Sequence, residues 1–410
     1  MKMCKWRTFQ YGNIKCMIEG VKKSKFLFVL GIPILLVGAL GVHSMNVSTV
    51  TYDKTGIQNS STTVVQTANA KARGGLVAPI WPLPLDTADY DKRLLVLANY
   101  LAPKPTPLTA TSGTSTAPAL QPILPTYSSS SNVTIEGKRW PATAVYPQGG
   151  AILPFKRILS YYGNFYSRHM GILGEYEPDE VLRRLNATKA LWEEADPNTP
   201  VQLAIEYIAM VAQAEAGRDG MYRAMMPATE IEKAYALAKK ADAILILDMQ
   251  IGLSPIEQEL PKFKTYLERP EVHLALDPEF SMKTGDRPGT VIGTHSAADI
   301  NYVINYISTI VRANKLPPKV LLVHRFTQNM VTNSAQITPT PEVQVIMVMD
   351  GWGPKELKRG TYSQVIVPEP VQFAGLKIFY KNDLKAPSTG ILTPQEALQF
   401  NPKPIFIQYQ

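Results

Sequence analysis

Cysteine is almost missing from this 410-residue chain, which has only Cys4 and Cys16. Both precede a charge-free run, FLFVLGIPILLVGALGV (26–42). The long remainder therefore has no disulfide, no thiol nucleophile and no thiolate metal site, and no cysteine closely follows the run to accept a lipid. Histidine is scarce as well: five are present, and no two stand as His-x-His or His-x-x-x-His. That argues against a metal centre, and neither a metal nor another cofactor is expected. A Gly-x-Ser-x-Gly nucleophile elbow is also lacking, and GTVIG (289–293) matches no phosphate loop.

Excess charge is missing from the body too. The chain carries a net +8, but Lys2, Lys5, Arg7, Lys15, Lys22, Lys23 and Lys25 against Glu19 place +6 of it in residues 1–25. A nucleic-acid footprint needs its basic charge on the folded domain, so no nucleic-acid partner is expected. A basic head (1–25) before an apolar run (26–43) predicts a membrane anchor with the head in the cytoplasm and the rest outside. A cleaved signal peptide is the alternative, given the small residues Ala39 and Gly41 near its end. Either reading exports the body.

Residues 44–146 are dominated by Ser, Thr, Pro, Ala and Gly, as in TPLTATSGTSTAPALQPILPTYSSSSN (106–132). Such a segment cannot bury enough apolar surface to offset its ordering entropy and reads as a stalk. One island interrupts it: DTADYDKRLLVLANYL (86–101) opens on a capping acid and keeps Leu94, Leu95, Leu97, Ala98 and Leu101 at helical spacing.

Within residues 147–410, eight β-type runs appear: RILSYY (157–162), VQLAIEYIA (201–209), AILILD (243–248), VHLAL (272–276), VLLVH (320–324), VQVIMVM (343–349), GLKIFY (375–380) and PIFIQY (404–409). Most are near-continuously apolar, as parallel strands covered on both faces must be. Helices are expected at 178–196, 228–240, 254–267 with a bend at Pro261, 296–313 and 393–400. The helical signal after the fifth and sixth strands is poor. The pattern predicts an α/β fold of the (β/α)8 TIM-barrel type behind an anchor and a stalk, with an open doubly wound sheet as the alternative. No helix follows the eighth run within these residues, so the 86–101 helix or the segment at Trp140 is expected to cover that gap.

Barrels of this type carry their chemistry at the C-terminal ends of the strands. Those ends supply Tyr162 and Asn164, Glu206, Asp248, Asp277 and Glu279, His324 and Arg325, Asp350 with Trp352, Tyr380 and finally Tyr409. Acids and aromatics converging on one rim suit a carbohydrate, since ring faces stack on sugars while carboxylates act as general acid and base. Candidate catalytic residues are Asp248, Asp277, Glu279 and Asp350. Candidate substrate contacts are Tyr162, Asn164, Glu206, His324, Arg325, Trp352, Tyr380 and Tyr409. Plainer readings exist: Asp277 before Pro278 and Asp350 before Gly351 are turn signals, Asp248 suits a loop or helix cap, and Glu206 an outward strand position.

The runs ILSYYGN, MGILGEY, GRDGMYRAMMP, LILDMQIG, LALDPEF, GTVIGTHSAADIN, VHRFT, VMDGWG and KIFYKND together resemble uncharacterised exported bacterial proteins with a glycoside-hydrolase-like (β/α)8 barrel. The resemblance spans residues 150–410 and implies a cell-envelope location and a sugar-binding rim; it transfers no catalytic residue. The chain lacks the acid-rich fourth-strand signature of chitinase-like enzymes and the early paired aspartates of polysaccharide deacetylases. The leading expectation is a membrane-anchored glycoside hydrolase acting on a polysaccharide or cell-wall glycan outside the cytoplasm. The alternative is a non-catalytic glycan-binding or surface-assembly protein on a degenerate barrel. Asp248 with Asp277 on neighbouring strands would suit a retaining pair, and Asp248 with Asp350 across the mouth an inverting one.

Overall fold

The computed structural model describes residues 81, 83–100 and 138–410. The basic head, the apolar run and most of the expected stalk lie outside the described residues. Among those that are described, no helix is long and apolar enough to cross a membrane.

Eight strands form the centre: β1 (Arg157–Gly163), β2 (Val201–Ala212), β3 (Ile244–Met249), β4 (Val272–Leu276), β5 (Lys319–Arg325), β6 (Val343–Met349), β7 (Phe373–Ile378) and β8 (Phe406–Tyr409). Each pairs in parallel with the next, and β1 pairs with both β2 and β8. The sheet is therefore a closed barrel of the TIM type, not an open doubly wound sheet.

The strands are buried on both faces, which is why they read as unbroken apolar runs. Alternation then sorts each strand. Ile158, Ala204, Ile246, Ala275, Leu322, Val348, Phe373 and Phe406 pack together inside the barrel. Their neighbours Leu159, Leu203, Leu245, Leu274, Leu321, Leu376 and Ile407 join the larger core outside it.

Five helices of more than ten residues are described: α1 (Thr87–Leu97), α2 (Pro178–Ala195), α3 (Ala228–Lys240), α4 (Ala297–Asn314) and α5 (Lys355–Val365). A capping box, in which Ser296 and Asp299 each satisfy the other's backbone, starts α4, and Ile300, Val303, Ile304, Ile307 and Val311 form its buried stripe. The expected 254–267 helix is instead three short turns, Ile256–Glu259, Leu260–Phe263 and Lys264–Leu267. Pro261 has no N–H to continue the ladder, and the middle turn tightens to a 3-10 helix around it.

Two placements differ from expectation. The seam between β8 and β1 is covered by α2, where Trp192 Nε1 donates to Tyr409 Oη at 3.1 Å and Tyr161 Oη lies 2.8 Å from Thr188 Oγ1. Helix α1 lies instead at the N-terminal mouth of the barrel, where Tyr90 and Leu94 pack with the interior residues Leu153, Ile158 and Phe406. Trp140 donates to the Val367 carbonyl at 3.0 Å, beside the end of α5.

Candidate functional site

Counting on from the interior set in steps of two, once on six strands and twice on β1 and β7, leads to the opposite mouth, and there the barrel becomes polar. Tyr162 on β1, Glu206 on β2, Asp248 on β3, Asp277 just past β4, His324 on β5, Asp350 just past β6, Lys377 on β7 and Gln408 on β8 all follow an inward residue at strand spacing. All eight are buried. Above them opens a cleft of about 450 Å³ lined by Tyr162, Asp277, Glu279, Asp350 and Lys377 at its base. Tyr176, Phe280, Phe326, Trp352, Phe379 and Tyr380 supply aromatic wall.

Gly171 makes one wall possible. A Cβ there would stand 2.3 Å from the Tyr162 carbonyl oxygen, and its φ of +107° lies in the region that favours glycine. The turn can thus lie against the end of β1, and the short helix Ile172–Glu175 follows with Glu175 and Tyr176 beside the cleft. Adjoining that wall, where Lys381 pairs with Glu175 at 2.6 Å, Asp383 accepts from the backbone N–H of Gly353 at 2.8 Å and of Phe379 at 2.9 Å, and pairs with Lys358 at 3.1 Å. That knot ties the Trp352 loop to the end of β7.

Beneath the cleft lie two buried pairs. His324 Nε2 is 3.0 Å from Glu206 Oε1, and Ser160 Oγ donates to the other Glu206 oxygen at 3.4 Å. Burial opposes a charge on His324, but the hydrogen bond and charge of Glu206, with the charge of Asp350, outweigh it and raise the imidazole to about 9. Its Nδ1 lies 3.8 Å from Asp350 Oδ2, close enough for charge but not for a hydrogen bond. In the second pair Tyr162 Oη donates to Asp248 Oδ2 at 2.9 Å. Burial, then the charge of Asp277, push Asp248 up to about 8, and its Oδ1 is buried without a partner among the described residues.

The three carboxyls that line the cleft have different surroundings. Asp277 accepts from Gln250 Nε2 at 3.1 Å and from the backbone N–H of Glu279 at 3.2 Å, both of which favour its ionised form; burial still raises it above the ordinary aspartate range. It therefore also caps the 3-10 turn Pro278–Phe280. Glu279, half-buried, accepts no side-chain hydrogen bond among the described residues; burial, then the charges of Asp277 and Asp350, push it well above the glutamate range. Asp350 is raised to about 6, chiefly by burial and against the pull of His324 and Lys377. Its Oδ1 is buried without a partner.

The expected site residues thus separate into three groups. Asp277, Glu279, Asp350, Tyr162, Trp352 and Tyr380 line the cleft. Asp248, Glu206 and His324 lie beneath its floor, fully or almost fully buried. Asn164, Arg325 and Tyr409 are held elsewhere: Asn164 Nδ2 donates to the Ile208 carbonyl at 2.9 Å, Arg325 pairs with Glu369 at 2.8 Å, and Tyr409 faces α2. Sequence reading overlooked Lys377, whose Nζ sits 3.9 Å from the Tyr162 ring centroid, and Gln250, which orients Asp277. A lysine at an inward position of an otherwise apolar strand was the available signal for the first.

Among the described residues no group of three His, Cys, Asp or Glu side chains is placed to hold a metal ion. Acid–base chemistry is what the arrangement can offer: carboxyls that hold a proton beside one whose ionised form is hydrogen-bonded, under an aromatic wall. Comparison with protein-family models and with curated proteins finds no match to either.

Proposed function

We propose that the cleft binds a glycan and hydrolyses a glycosidic bond, with Glu279 as general acid and Asp277 as the ionised partner. One observation carries this reading: two carboxyls on one turn, Asp277 with two N–H donors and Glu279 with none, so that their proton affinities are driven apart. Glycosidic cleavage needs that division, one carboxyl giving a proton to the leaving oxygen while the other attacks or activates water. The aromatic wall supplies the faces on which a sugar ring stacks. Asp350 stands beside the pair, and the buried Asp248 and His324 fix the charge beneath it. We place the barrel outside the cytoplasm on an N-terminal anchor, on the strength of the basic head and apolar run alone.

The test is release of reducing sugar from a panel of cell-wall and extracellular glycans by the full-length chain and by Glu279→Gln and Asp277→Asn. Each change is expected to lower the rate about 10²- to 10⁴-fold on natural glycans. On aryl glycosides whose leaving group needs no proton, Glu279→Gln should recover most activity and Asp277→Asn should not. Binding with no release by any form would instead establish a glycan-binding protein, a reading that the turn-capping duty of Asp277 favours.

A further inference from the structure

Alongside its acids the cleft carries cations. Arg168, Arg184, Lys377, Lys381 and Lys385 all border it. Two of these are matched by acids: Lys381 pairs with Glu175 at 2.6 Å and Arg184 with Glu180 at 2.6 Å. Arg168 is exposed and makes no ion pair among the described residues. Lys377 is the informative one. It is only 5% exposed, yet no carboxylate among the described residues forms an ion pair with it. Its ammonium faces the ring of Tyr162 at 3.9 Å and that of Phe379 at 5.1 Å. The charges of Asp277, Asp350 and His324 reach it only at longer range. The stem of Lys377 is buried while its ammonium reaches the cleft, where an oxygen acceptor would complete what the ring faces satisfy only in part. The space left for the missing acceptor is the cleft itself.

We propose that the glycan taken by this cleft is acidic, a uronate unit whose carboxylate accepts from Lys377 while the chain runs out past Arg168. This rests on the glycan reading given above. A monoanion fixed to the sugar ring is the fitting partner, because one ammonium balances one charge and Asp277 and Asp350 would repel a dianion placed beside them. The ring carrying it can lie along Trp352 and Tyr380 on the same side of the cleft.

Calorimetric titration of the full-length chain with oligouronides, with the same oligomers after carboxyl reduction, and with sulfated and phosphorylated oligosaccharides tests the assignment. The oligouronide is expected to bind about tenfold more tightly than its reduced form, with the advantage lost in Lys377→Met, which keeps the buried stem without the charge. Arg168→Ala, at an exposed site, should weaken oligouronide binding several-fold and reduce its salt dependence. Equal affinity for the oligouronide and its reduced form overturns the proposal, as does preference for the sulfated or phosphorylated oligomers. Cleavage of neutral glycans alone would sink the acidic substrate and leave the hydrolase standing. Tight oligouronide binding without cleavage would do the reverse.

Discussion

At the scale of single residues, the base of the barrel stores protons. Asp248 at about 8 and Asp350 at about 6 both exceed the ordinary 3.8 of an aspartate, and His324 at about 9 exceeds the ordinary 6.5. These three groups bind more protons folded than unfolded across the range their values span, so their contribution to stability falls as pH rises, against the opposite contributions of the lowered His273, His295 and Lys319. Asp248 becomes costly between 3.8 and about 8. What His324 contributes is complete below 6.5 and is lost as pH passes about 9. The difference in the midpoint of thermal unfolding between the wild-type chain and Asp248→Asn, which keeps a neutral acceptor for Tyr162, should therefore shift against the wild type between about pH 5 and about pH 8. A difference that stays constant across that range would show that Asp248 is ionised. Asp248, Asp277 and Asp350 were legible because each ends an apolar run. Which strand-end residues point inward was not, since a strand buried on both faces carries no polar alternation to mark them. Asp248 and Tyr162 fall on the inward parity, whereas Arg325 and Tyr409 fall on the other and are spent on Glu369 and Trp192.

Elements were legible where burial is apolar. All eight strands and α2, α3 and α4 could be read, because each buries a continuous run or a helical stripe of aliphatic residues. Helix α5 could not: in KELKRGTYSQV the buried positions are Lys358, Tyr362 and Val365, and Lys358 is buried as the ion partner of Asp383. A stripe that includes a lysine has no apolar period to detect. Strand β7 supports a prediction on packing. At Gly375 an added Cβ would stand 3.0 Å from Val348 Cγ2, 3.1 Å from Phe406 Cδ1 and 3.2 Å from Ile346 Cγ2. Gly375→Ala should cost about 1–3 kcal/mol in urea unfolding, as overpacked interiors do, because those neighbours belong to strands on either side and cannot both retreat. A second prediction concerns the start of α4. Ser296 accepts from the Asp299 N–H and Asp299 from the Ser296 N–H, so Ser296→Ala should lose about 1 kcal/mol by the same measurement.

For the whole molecule, the two mouths of the barrel do different work. The C-terminal mouth holds the cleft, and the N-terminal mouth is closed by an element from earlier in the chain, α1. Tyr90 is 2% and Leu94 4% exposed, packed with interior residues of the strands, while Val96 on the same helix is 47% exposed. Further contacts fasten the end of α1 to the segment before β8: the Lys403 N–H donates to the Leu97 carbonyl at 2.7 Å and Asn99 Nδ2 to the Phe400 carbonyl at 3.0 Å. A barrel interior left open at one end would expose the apolar layer of Ile158, Ala204 and Phe406 to water, so the helix is part of the core and not a passive piece of stalk. Leu94→Ala is accordingly expected to cost about 2–5 kcal/mol, and Val96→Ala almost nothing, in paired urea titrations of the full-length chain. Ligand affinity at the opposite mouth should be the same in both variants at pH and temperature where both remain folded. If Leu94→Ala proves as mild as Val96→Ala, α1 does not cap the barrel, and the N-terminal mouth must be closed by the Leu153 turn alone.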